Sequence, residues 1–162
     1  MDICLIEDSE DDADYINLLL QQMPEHKKKA TVVETIKATE LLLLHHKFDA
    51  IILDLNLPDS NGIATFHRVH KLARKTPIII LTGENDYSLG SEAVALGAQD
   101  YLSKDNLKLD VLRRSILYAI ERQRSFDALQ HLATIVGTCT DAVMTRDLAG
   151  TILTWNKGAE EM

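Results

Sequence analysis

The stretch "AIILD", residues 50–54, restricts the fold of this chain more than any other segment. Ile51, Ile52 and Leu53 follow one another without polar alternation. Both faces of such a segment must be covered, as in a strand of a parallel sheet. An acid, Asp54, ends the run, and Pro58 and Gly62 break the chain behind it. Open α/β sheets collect ligands beyond the carboxyl ends of their strands, which makes Asp54 a candidate site residue; the alternative is an Asp that merely starts a turn.

The rest of the chain repeats the pattern. Strand-like runs are predicted at Ile3 to Ile6, Thr31 to Glu34, Ala50 to Asp54, Ile78 to Thr82 and Gln99 to Leu102. Helical spacing of apolar residues fills the intervals Asp12 to Gln22, Lys37 to His46, Gly62 to Arg74 and Tyr87 to Leu96. Alternating strands and helices with right-handed crossovers predict an α/β fold with a five-stranded, doubly wound parallel sheet. No G-x-G-x-x-G and no G-x-x-x-x-G-K-[ST] follows a strand, so neither a dinucleotide site nor a P-loop is supported.

From about Leu107 the pattern changes. Leu109, Leu112, Ile116, Ala119, Phe126 and Ala133 keep a three-four spacing, with Gln123 and Gln130 in the same seam. No Gly or Pro interrupts Leu107 to Val136, which predicts one long helix. Beyond Gly137 a short alternating pattern predicts a hairpin whose turn is Asp147 to Gly150.

Composition narrows the function classes. The 162 residues carry a net charge of −8 and form no dominating basic stripe, so no nucleic-acid partner is expected. Lys27, Lys28 and Lys29 read as a solvated loop. Cys4 and Cys139 lie far apart with no zinc spacing, which suggests a reducing compartment. No signal peptide and no bilayer-spanning run is visible, so a cytoplasmic protein without a membrane partner is expected.

The ends of the predicted strands carry the chemistry. Glu7 and Asp8 follow the first, Asp54 ends the third, Thr82 the fourth, and Lys104 follows the fifth. A parallel sheet brings these ends to one edge. Three acids there repel one another unless a cation sits between them, and a hard ion such as Mg²⁺ suits oxygen ligands and phosphate. Lys104 adds a compact positive charge and Thr82 a hydroxyl donor. The set fits phosphoryl transfer with a carboxylate as nucleophile.

In order and spacing, Glu7-Asp8, Asp54 with Pro58 and Gly62, Thr82-Gly83, and Tyr101 with Lys104 resemble the response regulator receiver domain over residues 1–122. The resemblance implies a flavodoxin-like strand order 2-1-3-4-5 and an Asp54 that accepts a phosphoryl group from a sensor histidine kinase or a histidine phosphotransfer protein. It further implies Mg²⁺ on Glu7, Asp8, Asp54 and the backbone carbonyl of Asn56. Lys104 would pair with the phosphoryl group, Thr82 would move toward it, and Tyr101 would turn inward behind Thr82. Asn56 and Glu84 stand where the family tunes self-dephosphorylation, and polar residues at both resemble its faster members. The family's lysine is commonly followed by a proline in a cis bond, whereas Asp105 follows here. "DAVMTRDLAGTILTWNKGAEEM" resembles the opening of a PAS domain, so residues 137–162 read as an incomplete PAS segment after a linker helix at 107–136.

Other readings stand beside these. Asp8 alone reads as a helix N-cap, Thr82 as a turn residue, and Tyr101 as packing. His45, His46, His67, His70 and His131 read as solvated helix positions. An unphosphorylated interaction module is one competing function, and an Asp-nucleophile phosphatase another. The phosphatase motif places a second Asp where Asn56 stands, and an amide cannot serve as general acid. The long helix, or the adjoining face of Leu102 and Leu112, is expected to form a homodimer.

Overall fold

The computed structural model describes residues 1–26, 30–83 and 87–161; the lysine run 27–29 and Glu84 lie outside them. In chain order the elements are β1 (Ile3–Ile6), α1 (Glu10–Gln21), β2 (Thr31–Val33), α2 (Ile36–His45) and β3 (Ala50–Asp54). A small hairpin of β4 (Asn56–Leu57) and β5 (Ser60–Asn61) leads to α3 (Ile63–Leu72), β6 (Ile78–Thr82), α4 (Tyr87–Ala95) and β7 (Asp100–Ser103). Last come α5 (Leu109–Thr138), β8 (Met144–Arg146), β9 (Ile152–Trp155) and α6 (Lys157–Glu160). They divide into two compact units, Met1–Gln123 and Arg124–Met162.

In the first unit, five strands pair in parallel in the order β2-β1-β3-β6-β7, the expected 2-1-3-4-5 arrangement. Every residue of β1, β3 and β6 is buried, as their unbroken apolar runs require, whereas β2 at the sheet edge is partly exposed. Alternate residues serve opposite faces. Leu5, Ile52 and Ile79 pack with Ile16 and Leu20 of α1 and Leu112 and Ile116 of α5. Ile6, Leu53 and Ile80 pack with Ile36 of α2, Phe66 and Val69 of α3 and Ala93 of α4. Cys4 belongs to this second layer, and burial pushes its thiol up to about 12, which leaves it unreactive at neutral pH.

One expectation, and one alternative reading, are corrected here. Leu112 is wholly buried and Leu102 nearly so, because α5 spends this stripe on the sheet; that face is not available to a second copy. The N-cap of α1 is Ser9, whose hydroxyl accepts from Asp12 N at 3.3 Å, and not Asp8. The β4–β5 hairpin has no counterpart in the expected strands, since two-residue strands leave no periodicity to read.

In the second unit, β8 and β9 pair antiparallel, with the Thr145 and Thr154 hydroxyls 2.7 Å apart across the strands. The loop between them is closed by Asp147, which accepts from Thr151 N at 2.8 Å. Asn156 is buried and joins the pieces. Its Nδ2 donates to the carbonyls of Val136, Cys139 and Asp141, while its Oδ1 accepts from Val143 N and Ala159 N. No helix among the described residues is long and apolar enough to cross a membrane.

Candidate functional site

Strand register assembles the site. Ile6 lies opposite Leu53, so Glu7 and Asp54 leave adjacent strands at the same level. Asp54 lies opposite Leu81, which puts Thr82 one residue beyond it on β6. Thr82 in turn lies opposite Ser103, and Lys104 N donates to Thr82 O at 2.9 Å, continuing the ladder by one bond. Four sequence-remote residues therefore reach one edge because parallel strands end together.

Lys104 occupies the centre. Its Nζ is 2.6 Å from Asp54 Oδ2, 2.7 Å from Glu7 Oε2 and 3.0 Å from Asp12 Oδ2. Burial by itself would lower the Lys104 pKa, but its hydrogen bonds to Asp54 and Glu7 and their negative charges outweigh burial and raise it. The ammonium is held charged. Burial raises the Glu7 pKa, reinforced by the charge of Asp54 and opposed by Lys104. The other oxygens are also anchored: Glu7 Oε1 accepts from Ser9 N at 3.2 Å and Asp54 Oδ1 from Asn56 N at 3.0 Å.

Glu7, Asp8 and Asp54 each offer a carboxylate oxygen, and these oxygens lie within 4.8 Å of one another. Glu7 and Asp54 are buried while Asp8 faces solvent, so the cluster is open on one side. An all-oxygen, acidic set of this span fits a hard divalent cation that keeps several waters. Of the remaining predicted residues, Thr82 and Asn56 border this centre. Thr82 is buried, with Oγ1 3.4 Å from the Leu102 carbonyl. Tyr101 is half-buried against α4, so close that a Cβ at Gly90 would fall 2.8 Å from its Cδ2. Asn56 is exposed beside Asp54, and Glu84 lies outside the described residues. Peptide bonds among the described residues are trans; Lys104 reaches Asp54 with Asp105 behind it.

Sequence reading missed two carboxylates. Asp12 reads from the sequence only as a helix residue, yet it stands three residues after the cap Ser9, in the first turn of α1 at this same edge. Asp59 caps α2 from outside, accepting from Ile36 N at 2.9 Å and Lys37 N at 3.0 Å. Those hydrogen bonds, the first above all, hold its pKa down. A cap from another element leaves no local sequence signal. Behind Asp54, Gly62 adopts φ 61° and its N–H donates to Leu55 O at 2.9 Å, which closes the β4–β5 hairpin.

Comparison with known proteins agrees with this geometry. The model of the response regulator receiver domain matches residues 3–116. The cell cycle transcriptional regulator CtrA of Caulobacter vibrioides is 35% identical over 78 residues, 48% of this chain and 33% of that protein. The cell cycle response regulator CtrA of Brucella ovis is 31% identical over 136 residues, 83% of this chain and 56% of that protein. Among solved structures, full-length FixJ from B. japonicum superposes with a TM-score of 0.69 at 28% identity, over 83% of this chain and 64% of that one. The chain belongs to the response regulator receiver domain family, whose members are modules of two-component signalling rather than enzymes in the ordinary sense. It spans a third to about half of the length of these two curated relatives.

Proposed function

We propose that this receiver domain takes a phosphoryl group on Asp54 from a phosphohistidine of a sensor histidine kinase or a histidine phosphotransfer protein. The observation that carries the reading is the meeting of Asp54 with Lys104, at 2.6 Å, beside an oxygen cluster suited to a divalent ion. A carboxylate oxygen of Asp54 attacks phosphorus, the P–N bond breaks, and its electron pair returns to the imidazole. Glu7, Asp8, Asp54 and the backbone carbonyl of Asn56 would hold Mg²⁺, which supplies positive charge for the phosphoryl oxygens. Lys104 donates to a phosphoryl oxygen and offsets the charge that builds up in transfer. Thr82 turns its hydroxyl toward the group, and Tyr101 leaves its place against Gly90 for the space behind Thr82.

Asn56 and Glu84 orient the attacking water, and the phosphorylated state is short-lived. Residues 137–162 form the opening of a PAS domain, and the helix before them carries the state of the sheet. A homodimer forms on the part of α5 that keeps its apolar residues exposed, among them Phe126, Leu129 and Leu132.

The test is incubation with acetyl phosphate and Mg²⁺. An acid-stable, base-labile adduct on Asp54 is expected, absent from Asp54→Asn, whose isosteric amide is no acceptor. Labelling of Asp54→Asn at that site would end the reading. Asn56→Arg and Glu84→Lys are expected to slow loss of the label, and an unchanged decay would remove both residues from the water's path.

A further inference from the structure

The third partner of Lys104 has no part in the proposed reaction, and its position gives it one. An ammonium has three N–H donors. Here Nζ donates to Asp54 Oδ2 at 2.6 Å and Asp12 Oδ2 at 3.0 Å, and it lies 2.7 Å from Glu7 Oε2 as an ion pair. A phosphoryl oxygen arriving at Asp54 must displace one of these contacts. The three partners differ in what their release costs. The side chain of Glu7 is 0% exposed, so a carboxylate released there would be buried without its counter-charge, and Asp54, 9% exposed, is bonded to the arriving group and keeps Lys104 beside it. The side chain of Asp12 is 43% exposed and makes the longest of the three contacts, so water can take over from Lys104.

We infer that Asp12 is the exchangeable partner of Lys104, a positioning residue that holds the ammonium in the unphosphorylated state and competes with the phosphoryl group for the donor it now accepts from. The inference rests on the phosphoacceptor reading of Asp54. Asp12 also adds a fourth carboxylate beside Glu7, Asp8 and Asp54, at the place where a phosphoryl group brings further negative charge. Both effects act in the same direction. Asp12 favours the empty site, and its removal favours occupation.

The experiment is titration of the whole chain with beryllofluoride, a phosphoryl mimic, at saturating Mg²⁺, for wild type, Asp12→Ala, Asp12→Asn, Asp11→Ala and Asp54→Asn. Asp11 is exposed in the same helical turn and controls for the helix dipole and the general field. Asp12→Ala is expected to bind the mimic roughly two- to fivefold more tightly than wild type, the size of a half-exposed ion pair. Asp12→Asn should move the same way with its fold unchanged, and Asp11→Ala should match wild type. A merely structural role for Asp12 predicts the opposite sign: a lower melting temperature and weaker binding. Equal or weaker binding by Asp12→Ala, or the same gain from Asp11→Ala, overturns the inference while the reading of Asp54 stands. Wild type that fails to bind, or Asp54→Asn that binds equally well, overturns that reading itself.

Discussion

Residues Met1–Gln123 and Arg124–Met162 treat their apolar side chains in opposite ways. In the first unit, β3 and β6 are buried at every position because helices cover both faces of the sheet. In the second, all four residues of β9 are exposed, Ile152, Leu153 and Trp155 among them, and so are Phe126, Leu129 and Leu132 of α5. A two-stranded hairpin has no second layer to bury its faces, and such a hairpin by itself is marginal in water. What organises the second unit is polar: Asn156 satisfies carbonyls and N–H groups from three segments at once. The lesson is that a sheet covered on both faces supports a charged site at its edge, whereas a hydrogen-bonded node supports only local order.

The largest expected effect tests the apolar side of this contrast. Phe66 is fully buried, and Phe66→Ala should cost about 3–5 kcal/mol in urea unfolding of the first unit. Leu132→Ala, in the exposed stripe, should stay within about 0.5 kcal/mol at protein concentrations too low for the chain to dimerise. Similar losses at both sites would mean that the stripe is covered in solution. Next, Asn156→Ala leaves several backbone groups without a partner and should cost about 1–3 kcal/mol locally. Hydrogen exchange at Val143 and in β8–β9 should rise while β1, β3 and β6 stay protected. Uniform loss of protection would join the two units into one cooperative body.

A single substitution made in both units sharpens the comparison further. Gly137→Ala, where a Cβ meets nothing within 4 Å, should stabilise by about 0.5–1 kcal/mol. Gly90→Ala should instead cost about 1 kcal/mol, because its Cβ falls against Tyr101 and the ring must move; displaced Tyr101 ring signals in NMR would report this. A gain at Gly90 with the ring signals unmoved would show that the packing there is loose.

The smallest effect is one of pH. His26 is buried in the first unit, with Nδ1 3.1 Å from the Met1 carbonyl, and burial chiefly holds its pKa below the usual imidazole value. The unfolded chain therefore takes up the proton first as pH falls below about 6.5, and the contribution of His26 to stability, complete above that pH, is lost on acidification. The melting temperature of His26→Phe should accordingly fall less between pH 7 and 5.5 than that of wild type. Parallel curves would assign the acid sensitivity to other groups.

Most of the fold was legible because it is periodic. Short, β-branched, unalternated runs such as Ile78 to Leu81 read as strands covered on both faces, and their order with the intervening helices left few topologies open. Boundaries moved by a residue or two, as at Ser9 and Leu109, where hydrogen bonds and not periodicity decide the end. The candidate site was legible to the extent that its residues follow strand ends. Glu7, Asp54, Thr82 and Lys104 do. Asp12 does not, since its role depends on a lysine 92 positions away.

By itself, then, the sequence determined the layered α/β plan and which side chains of the strand ends face one another across the sheet edge, because both follow from period and from parallel pairing. The tertiary structure alone decided how those side chains divide the donors of Lys104, that the Leu112 stripe of α5 is spent on the sheet, and that Tyr101 rests against Gly90. Each is a contact between elements far apart in the chain, and only packing sets the distance across which charge and shape act.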